Sequence, residues 1–325
     1  MKICVTGGTG FIGYHLCLNL LKLKHDVHIL ARDPGKTQML IRNGAKIIEG
    51  DLADTIDYEN FFSDCDVLFH VASLLGPQGL PYKMFYQVNV GGTKKIVSVA
   101  LRMKVPKIIH FSSVGVLGSV SANPVTEDAP CNPGDAYEKT KYEAEQWVLQ
   151  QSLFHQGIVI IRPAWVFGPG DRRTLKLFRA LQKGRFFFIG NGNGLQHPVY
   201  IDDLIDGCML AMEKSVKSGE IFHLGGNEIV SIKNLIEQIC KLLDVKIPKF
   251  NLPYYPMNLT GKICEILAGL LRIDPPLSVA KVDFFTKNRS YSIEKAKKIL
   301  AYNPKVSLHE GLEKTIHWYR QEKWL

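Results

Sequence analysis

Tyr137 and Lys141 stand four residues apart in "AYEKTKYEAEQWVLQQ", and Ser112 and Ser113 close the upstream run "KIIHFSS". On a helix, positions i and i+4 share a face. A phenol with a pKa near ~10 is a weak acid–base at neutral pH. An ammonium beside it favours the phenolate and lowers that value. A serine hydroxyl at a strand end can hold a substrate oxygen next to the phenol. Such a set suits proton transfer to or from an alcohol or carbonyl oxygen. Each piece is ordinary alone, since Tyr-x-x-x-Lys recurs in helices and serines also cap strand ends.

A second cluster has no side chains to offer. "VTGGTGFIG", Val5 to Gly13, satisfies G-x-G-x-x-G with Gly8, Gly10 and Gly13. With Thr6, Gly7, Gly10 and Gly13 it also satisfies T-G-x-x-G-x-x-G. The stretch follows an apolar strand and opens a helical pattern, the context a dinucleotide loop requires. Glycines allow the tight turn and let a pyrophosphate approach backbone N–H groups at the helix N-terminus. The next strand ends at Ala31, followed by Arg32 and Asp33. A cation there favours the extra phosphate of NADP, and a carboxylate favours the ribose of NAD. Arg32 makes NADP the first expectation, with NAD the alternative because of Asp33. Asp51 in "GDL" follows the third strand and is expected to meet the adenine amino group.

The elements that must carry these residues alternate. "KICVT", "DVHILAR", "AKIIEG", "CDVLFHVA", "PKIIHFSS" and "GIVIIRP" read as strands. "FIGYHLCLNLLKLKH", "GKTQMLIRNG", "MFYQVNVGGTKKIVSVALRMK" and the Tyr137 segment read as helices between them. This rhythm predicts an α/β fold, a doubly wound parallel sheet with helices on both faces. After Pro163 the rhythm breaks into Gly- and Pro-rich loops, "VFGPGDRR" and "FIGNGNGLQHP", with short helices at "DDLIDGCMLAMEK", "SIKNLIEQICKLL" and "SLHEGLEKTIHWYRQ". Residues 1–165 are expected to form the nucleotide-binding domain, with 197–225 returning to it. Residues 166–196 and 226–325 are expected to form a smaller, discontinuous C-terminal substrate lobe.

Composition sets the outer bounds. With 46% apolar residues in 325, the chain can bury a sizeable core. Seven cysteines, none as CxxC, speak against a disulfide framework or zinc site, so no metal is expected. The net charge of +9 is spread out, with no basic run that would mark nucleic-acid binding; anionic small molecules or membrane surfaces suit it as well. "MKICVT" already reads as strand, so a cytoplasmic location without a secretory signal is expected. No apolar run reaches the ~18 residues of a membrane span. The nearest, Gly261 to Ile273, reads as a packed helix, with an interfacial helix, and so peripheral membrane contact, as the alternative.

Taken in order, "TGGTGFIG", "GDL", "HVAS", "VNVGGT", "FSSVGVLG", "YEKTK", "RPAWVFGPG", "HPVYIDDL" and "SLHEGLEKTIHWYR" resemble the extended short-chain dehydrogenase/reductase superfamily over nearly the whole chain. The resemblance implies that Ser113 is the catalytic serine, Tyr137 the proton donor or acceptor, and Lys141 the residue that holds the nicotinamide ribose and tunes Tyr137. It implies that Asn89 supports the site. It places Thr6, Gly7, Gly10, Phe11, Ile12, Gly13, Leu52, Val71, Ala72, Ser73, Ser112, Pro163 and Val166 along the cofactor cleft. Leu74, Trp165 and Gln196, with Ser113, are its implied substrate contacts.

Departures from subfamily patterns narrow the reaction. Dehydratases of the superfamily carry an Asp-Glu pair where this chain has Val114 and Gly115. Sugar-nucleotide epimerases place an asparagine and an arginine where Trp165 and Gln196 stand, and an arginine fork is the natural partner of a diphosphate. "LARDP" resembles dihydroflavonol reductases. "DPPLSVAKVDFFTKNRSYSIEKAKKIL" resembles 3β-hydroxysteroid and sterol-4-carboxylate dehydrogenases. Leu74, Leu75, Trp165 and Phe186 to Phe188 are candidates for an apolar pocket, the Phe triplet reading equally as a core strand. The expectation is hydride transfer between nicotinamide and a secondary alcohol or ketone on a fairly apolar, ring-containing small molecule. A nucleotide-sugar 4-epimerase is the alternative, and a non-catalytic cofactor-binding scaffold or redox sensor the third reading. Helices at "FYQVNVGGTKKIVSVALRM" and "YEKTKYEAEQWVLQQ" are candidates for pairing in a homodimer.

Overall fold

Six apolar runs form the expected strands: β1 (Lys2–Thr6), β2 (Asp26–Ala31), β3 (Lys46–Glu49), β4 (Val67–His70), β5 (Lys107–Phe111) and β6 (Ile158–Pro163). The structure, a computed structural model, describes residues 1–53, 58–76, 80–120, 124–271 and 277–325. Four short strands follow outside the main sheet: β7 (Trp165–Phe167), β8 (Phe188–Ile189), β9 (Leu195–Gln196) and β10 (Pro198–Tyr200). Then β11 (Glu220–Leu224) returns to it and pairs with β6. The sheet order is β11-β6-β5-β4-β1-β2-β3, all pairs parallel. Crossover helices cover both faces, so β4, β6 and most of β5 are buried throughout. Two cores result. One packs the Phe11–Lys22 and Ile201–Glu213 helices against the sheet and continues into the C-terminal residues. The other sits under the Thr93–Arg102 helix.

The order reverses between β1 and β4, so their C-terminal ends open a crevice, the place where ligands bind in such sheets. Thr6 ends β1 and His70 ends β4, paired in register. The glycine loop and residues 71–74 therefore face each other across the switch point.

Several elements differ from the sequence expectation. The long helix expected over residues 84–104 is three pieces: Tyr82–Phe85, a π-helical segment Tyr86–Gly92, and Thr93–Arg102. Hydrophobic periodicity cannot separate a π turn from an α turn within one run. "GKTQMLIRNG" divides into a 3₁₀ turn, Pro34–Thr37, and the short helix Gln38–Arg42. Within the stretch read as loops after Pro163, Trp165–Phe167 pairs with Pro198–Tyr200, Phe188–Ile189 and Leu195–Gln196 also form short strands, and Arg172–Gln182 is a helix capped by the Asp171 carboxylate. The Gly261 helix begins earlier, spanning Tyr254–Leu271, and one of its faces is exposed instead of packed. The proline-rich entry at Asp274–Pro276 lies outside the described residues.

Candidate active site

The glycine loop is shaped by contacts its residues could not make with side chains. Gly7 has φ +78°, and a Cβ there would stand 2.6 Å from the Ala72 nitrogen. At Gly10 an added Cβ would meet only the Gly7 carbonyl, at 3.3 Å, and otherwise point into open space. Gly10 caps the Phe11–Lys22 helix without a side-chain acceptor. The first-turn amides of Phe11, Ile12 and Gly13 therefore lack intrahelical partners and face the crevice. An open cradle at the helix N-terminus fits a pyrophosphate.

A buried relay fixes this loop to the rest of the site. Thr93 donates its hydroxyl to the Asn89 carbonyl at 2.6 Å, so it accepts from His70 Nε2 at 2.9 Å. His70 Nδ1 then accepts from the Thr6 hydroxyl at 2.7 Å. Burial first, and the Lys141 charge second, hold His70 down at about 3, so the ring is neutral. The π segment turns Asn89 to face residues 73–74. Its Oδ1 accepts from the Leu74 amide at 2.7 Å and from Ser73 Oγ at 3.1 Å; its Nδ2 donates to the Leu74 carbonyl at 3.0 Å and to Thr140 at 3.1 Å. Every hydrogen-bonding position of the Asn89 amide is thus used to hold the Ser73–Leu74 loop against the Tyr137 helix. His70 and Thr93 are absent from the sequence-derived list. The motifs "HVAS" and "VNVGGT" contained them, but nothing local signalled their contact.

Ser113 sits just after β5 and caps a 3₁₀ turn, its Oγ accepting from the Gly115 amide at 3.0 Å. Tyr137 lies in the first turn of the Ala136–Gln151 helix, which Asp135 caps. Burial raises the Tyr137 pKa; the Arg173 charge and hydrogen bonding with the Ser113 and Ser73 hydroxyls pull the other way. Among the groups that lower the phenol, the Arg173 charge is the largest. Lys141 Nζ donates to the Phe111 carbonyl at the end of β5. Burial lowers Lys141 to about 8, while Glu145 opposes this. Ser112 is buried with its hydroxyl unpartnered, at the end of β5 beside the cleft.

At the far end of the cleft, Arg32 is exposed, with Nη1 3.7 Å from the Asp51 carboxylate. Asp51 also caps its own turn through the Ala53 amide at 3.0 Å. Asp33 is occupied in another way, capping the Pro34–Thr37 turn through the Gly35 amide at 3.0 Å and pairing with Lys36 at 3.2 Å. Leu52 is buried beneath the π segment, where a Cβ on Gly92 would press on it at 2.8 Å, so it packs the core behind the cleft. Val71 and Ala72 continue from β4, Pro163 ends β6 and Val166 lies in β7.

The opposite wall is aromatic. Trp165 meets Phe284 edge-on at 5.6 Å, Phe284 meets Phe285 at 5.2 Å, and Phe186 bridges Phe285 and Phe188 at 5.4 Å each. Gln196 is not at hand for a ligand. It is buried, and its Nε2 donates to the Phe284 carbonyl at 2.7 Å, so it braces the wall. Three arginines near the site differ in what they meet. Arg172 stacks over Trp324 at 5.3 Å, whereas Arg173 acts on Tyr137 and Arg289 reaches Glu138 at 3.8 Å.

Residues 3–225 match the NAD dependent epimerase/dehydratase family, and the chain belongs to it. It is 32% identical to the decarboxylating sterol-4-alpha-carboxylate 3-dehydrogenase of Candida albicans, over 99% of this chain and 98% of that one. It is 29% identical to the 2-alkyl-3-oxoalkanoate reductase of Stenotrophomonas maltophilia, over 97% and 98%. Among solved structures, the UDP-glucuronic acid 4-epimerase of Bacillus cereus with UDP-glucuronic acid and NAD superposes with a TM-score of 0.80 at 28% identity, over 99% and 100% of the two chains. Within the extended short-chain superfamily, the chain is an NAD(P)-dependent oxidoreductase.

Proposed function

We propose that the protein moves a hydride between NADP(H) and a secondary alcohol or ketone on an apolar skeleton that carries a carboxylate β to the reacting carbon. The observation that carries this reading is the meeting of Ser113, Ser73 and Tyr137 beside Arg173, opposite an aromatic wall. The named substrates of the two relatives share one chemical feature. A sterol-4-carboxylate oxidised at position 3 and a 3-oxoalkanoate both set the reacting carbon next to the carbon bearing the carboxylate. Arg173 supplies a cation on the reacting side, and the Phe284–Phe285–Phe186 cluster supplies apolar surface.

The Gly7–Gly13 loop would hold the pyrophosphate, Arg32 the 2′-phosphate, Asp51 the adenine and Lys141 the nicotinamide ribose. When bound, the nicotinamide supplies or accepts the hydride. Tyr137 gives a proton to the substrate oxygen in reduction and takes it in oxidation, and Ser113 hydrogen-bonds that oxygen. Ser73, held by Asn89, fixes the phenol from the other side. Arg32 favours NADP because Asp33, the residue that would select NAD, is tied into its own turn.

A sugar nucleotide fits less well. A diphosphate in a closed cleft needs charge-assisted partners. Gln196 and Trp165 carry no charge, and Arg172 is stacked on Trp324. The test is a spectrophotometric screen of 3-hydroxy acids and their decarboxylated alcohols with NADP and with NAD. Turnover that requires both the carboxylate and an apolar skeleton is the expected result. Turnover of alcohols without the acid group, at equal kcat/KM, refutes the carboxylate assignment.

A further inference from the structure

In the Tyr254–Leu271 helix, Tyr255, Leu259, Ile263, Ile266 and Leu267 fall at i, i+4, i+8, i+11 and i+12. At 100° per residue these positions share one face. Their relative exposures are 83%, 60%, 50%, 66% and 53%. The other side is fastened to the protein. A Cβ on Gly261 would meet the Ser278 and Val279 backbone at 3.1 Å, Ala268 is buried, and Glu265 accepts from the Val279 amide at 2.9 Å. One side of the helix is therefore seated and the other presents a continuous apolar stripe to water. Monomeric proteins rarely leave such a stripe bare without a partner.

The surroundings say what kind of partner. Just before the helix, Phe250 is 80% exposed, and Ile247 is exposed as well. The exposed charges over residues 246–267 are Lys246, Lys249 and Lys262, and the single carboxylate there, Glu265, is the one turned inward to Val279. The whole chain carries +9. No helix among the described residues is long and apolar enough to cross a membrane. An amphipathic helix with an apolar face, aromatic residues near its start and a lysine rim lies in the plane of a lipid interface. A symmetric dimer through this face would set each patch against its own copy and bring like charges together. Anionic headgroups complement the rim instead.

We propose that the exposed face of the Tyr254–Leu271 helix docks the protein on the surface of an anionic lipid bilayer. The inference goes beyond the reaction and does not depend on it. The full chain is floated with vesicles of phosphatidylcholine alone and of phosphatidylcholine with phosphatidylserine, at low and high salt. Binding should require phosphatidylserine and weaken as salt rises. A Leu259→Ser/Ile266→Ser double variant should lose binding while keeping the wild-type melting temperature and cofactor affinity, because both side chains are exposed. Lys249→Gln and Lys262→Gln should each weaken partitioning roughly fivefold. Three outcomes overturn the proposal: no binding to either vesicle, binding of the double variant equal to wild type, or a lipid-free dimer that the double variant dissolves, which would assign the face to a second copy.

Discussion

The Arg162 guanidinium grips the Glu145 carboxylate with two bonds, Nε at 2.8 Å and Nη2 at 2.6 Å, and both side chains are buried. Arg162 lies in β6 and Glu145 one turn beyond Lys141, so the fork fixes the catalytic helix to the sheet. Arg162 also donates to the Glu127 carbonyl at 3.2 Å. Removing one partner leaves an uncompensated buried charge. Glu145→Ala should destabilise the fold by roughly 3–5 kcal/mol. Urea denaturation of the variant at neutral pH measures this, and a loss below about 1 kcal/mol would show that the pair is dispensable.

Tyr137→Phe removes one hydroxyl from the meeting point with Ser113 and Ser73. Turnover should fall by about two to four decades with cofactor affinity unchanged. Pre-steady-state and steady-state rates with any accepted substrate provide the check; near-normal turnover would take Tyr137 out of the mechanism.

Lys141 gives the fold a pH dependence. Its pKa falls from 10.5 unfolded to about 8 folded, with burial the larger cause. A lowered lysine pKa means that folding disfavours the charged form. The penalty is complete below pH 8 and is relieved as pH rises from 8 towards 10.5. The shift corresponds to about 3 kcal/mol at most. Lys141→Met should therefore be more stable than wild type at pH 7, with the gap closing by pH 10.5. A gap that is constant over that window would contradict the assignment.

Arg32 tests the cofactor. Arg32→Ala should weaken NADP binding and leave NAD nearly unchanged, since the side chain faces solvent and is ion-paired with Asp51. Isothermal titration with both dinucleotides decides it, and NAD binding more tightly than NADP to the wild type would reverse the preference.

Substrate class can be sorted by thermal stabilisation of the cofactor-loaded protein. A ligand that binds only the folded state raises apparent stability by mass action. Apolar 3-hydroxy acids should shift the transition in a saturable way, and UDP-, GDP- and dTDP-sugars should not. The opposite pattern would favour the epimerase reading.

The sequence by itself determined the parallel sheet, the glycine loop and the catalytic helix, because each is written in residues adjacent along the chain. Gly7 has to be glycine for its φ of +78°, and Gly13 because a Cβ there would strike the Gly7 carbonyl, both reasons local to one turn. Tyr137 and Lys141 share a face by helical spacing alone. Tertiary structure decided which groups tune them. Ser73 reaches Tyr137 because Asn89, on a π turn, holds its loop. Arg173 acts on Tyr137 from a separate helix 36 positions along the chain, and Arg289 reaches Glu138 across 151 positions. Gln196 looks like a ligand contact in one dimension and is a buried brace in three. Neighbours along a helix or turn are fixed by backbone geometry, which a sequence encodes directly. Neighbours across a cleft are fixed by how separate elements pack, and that depends on every side chain between them.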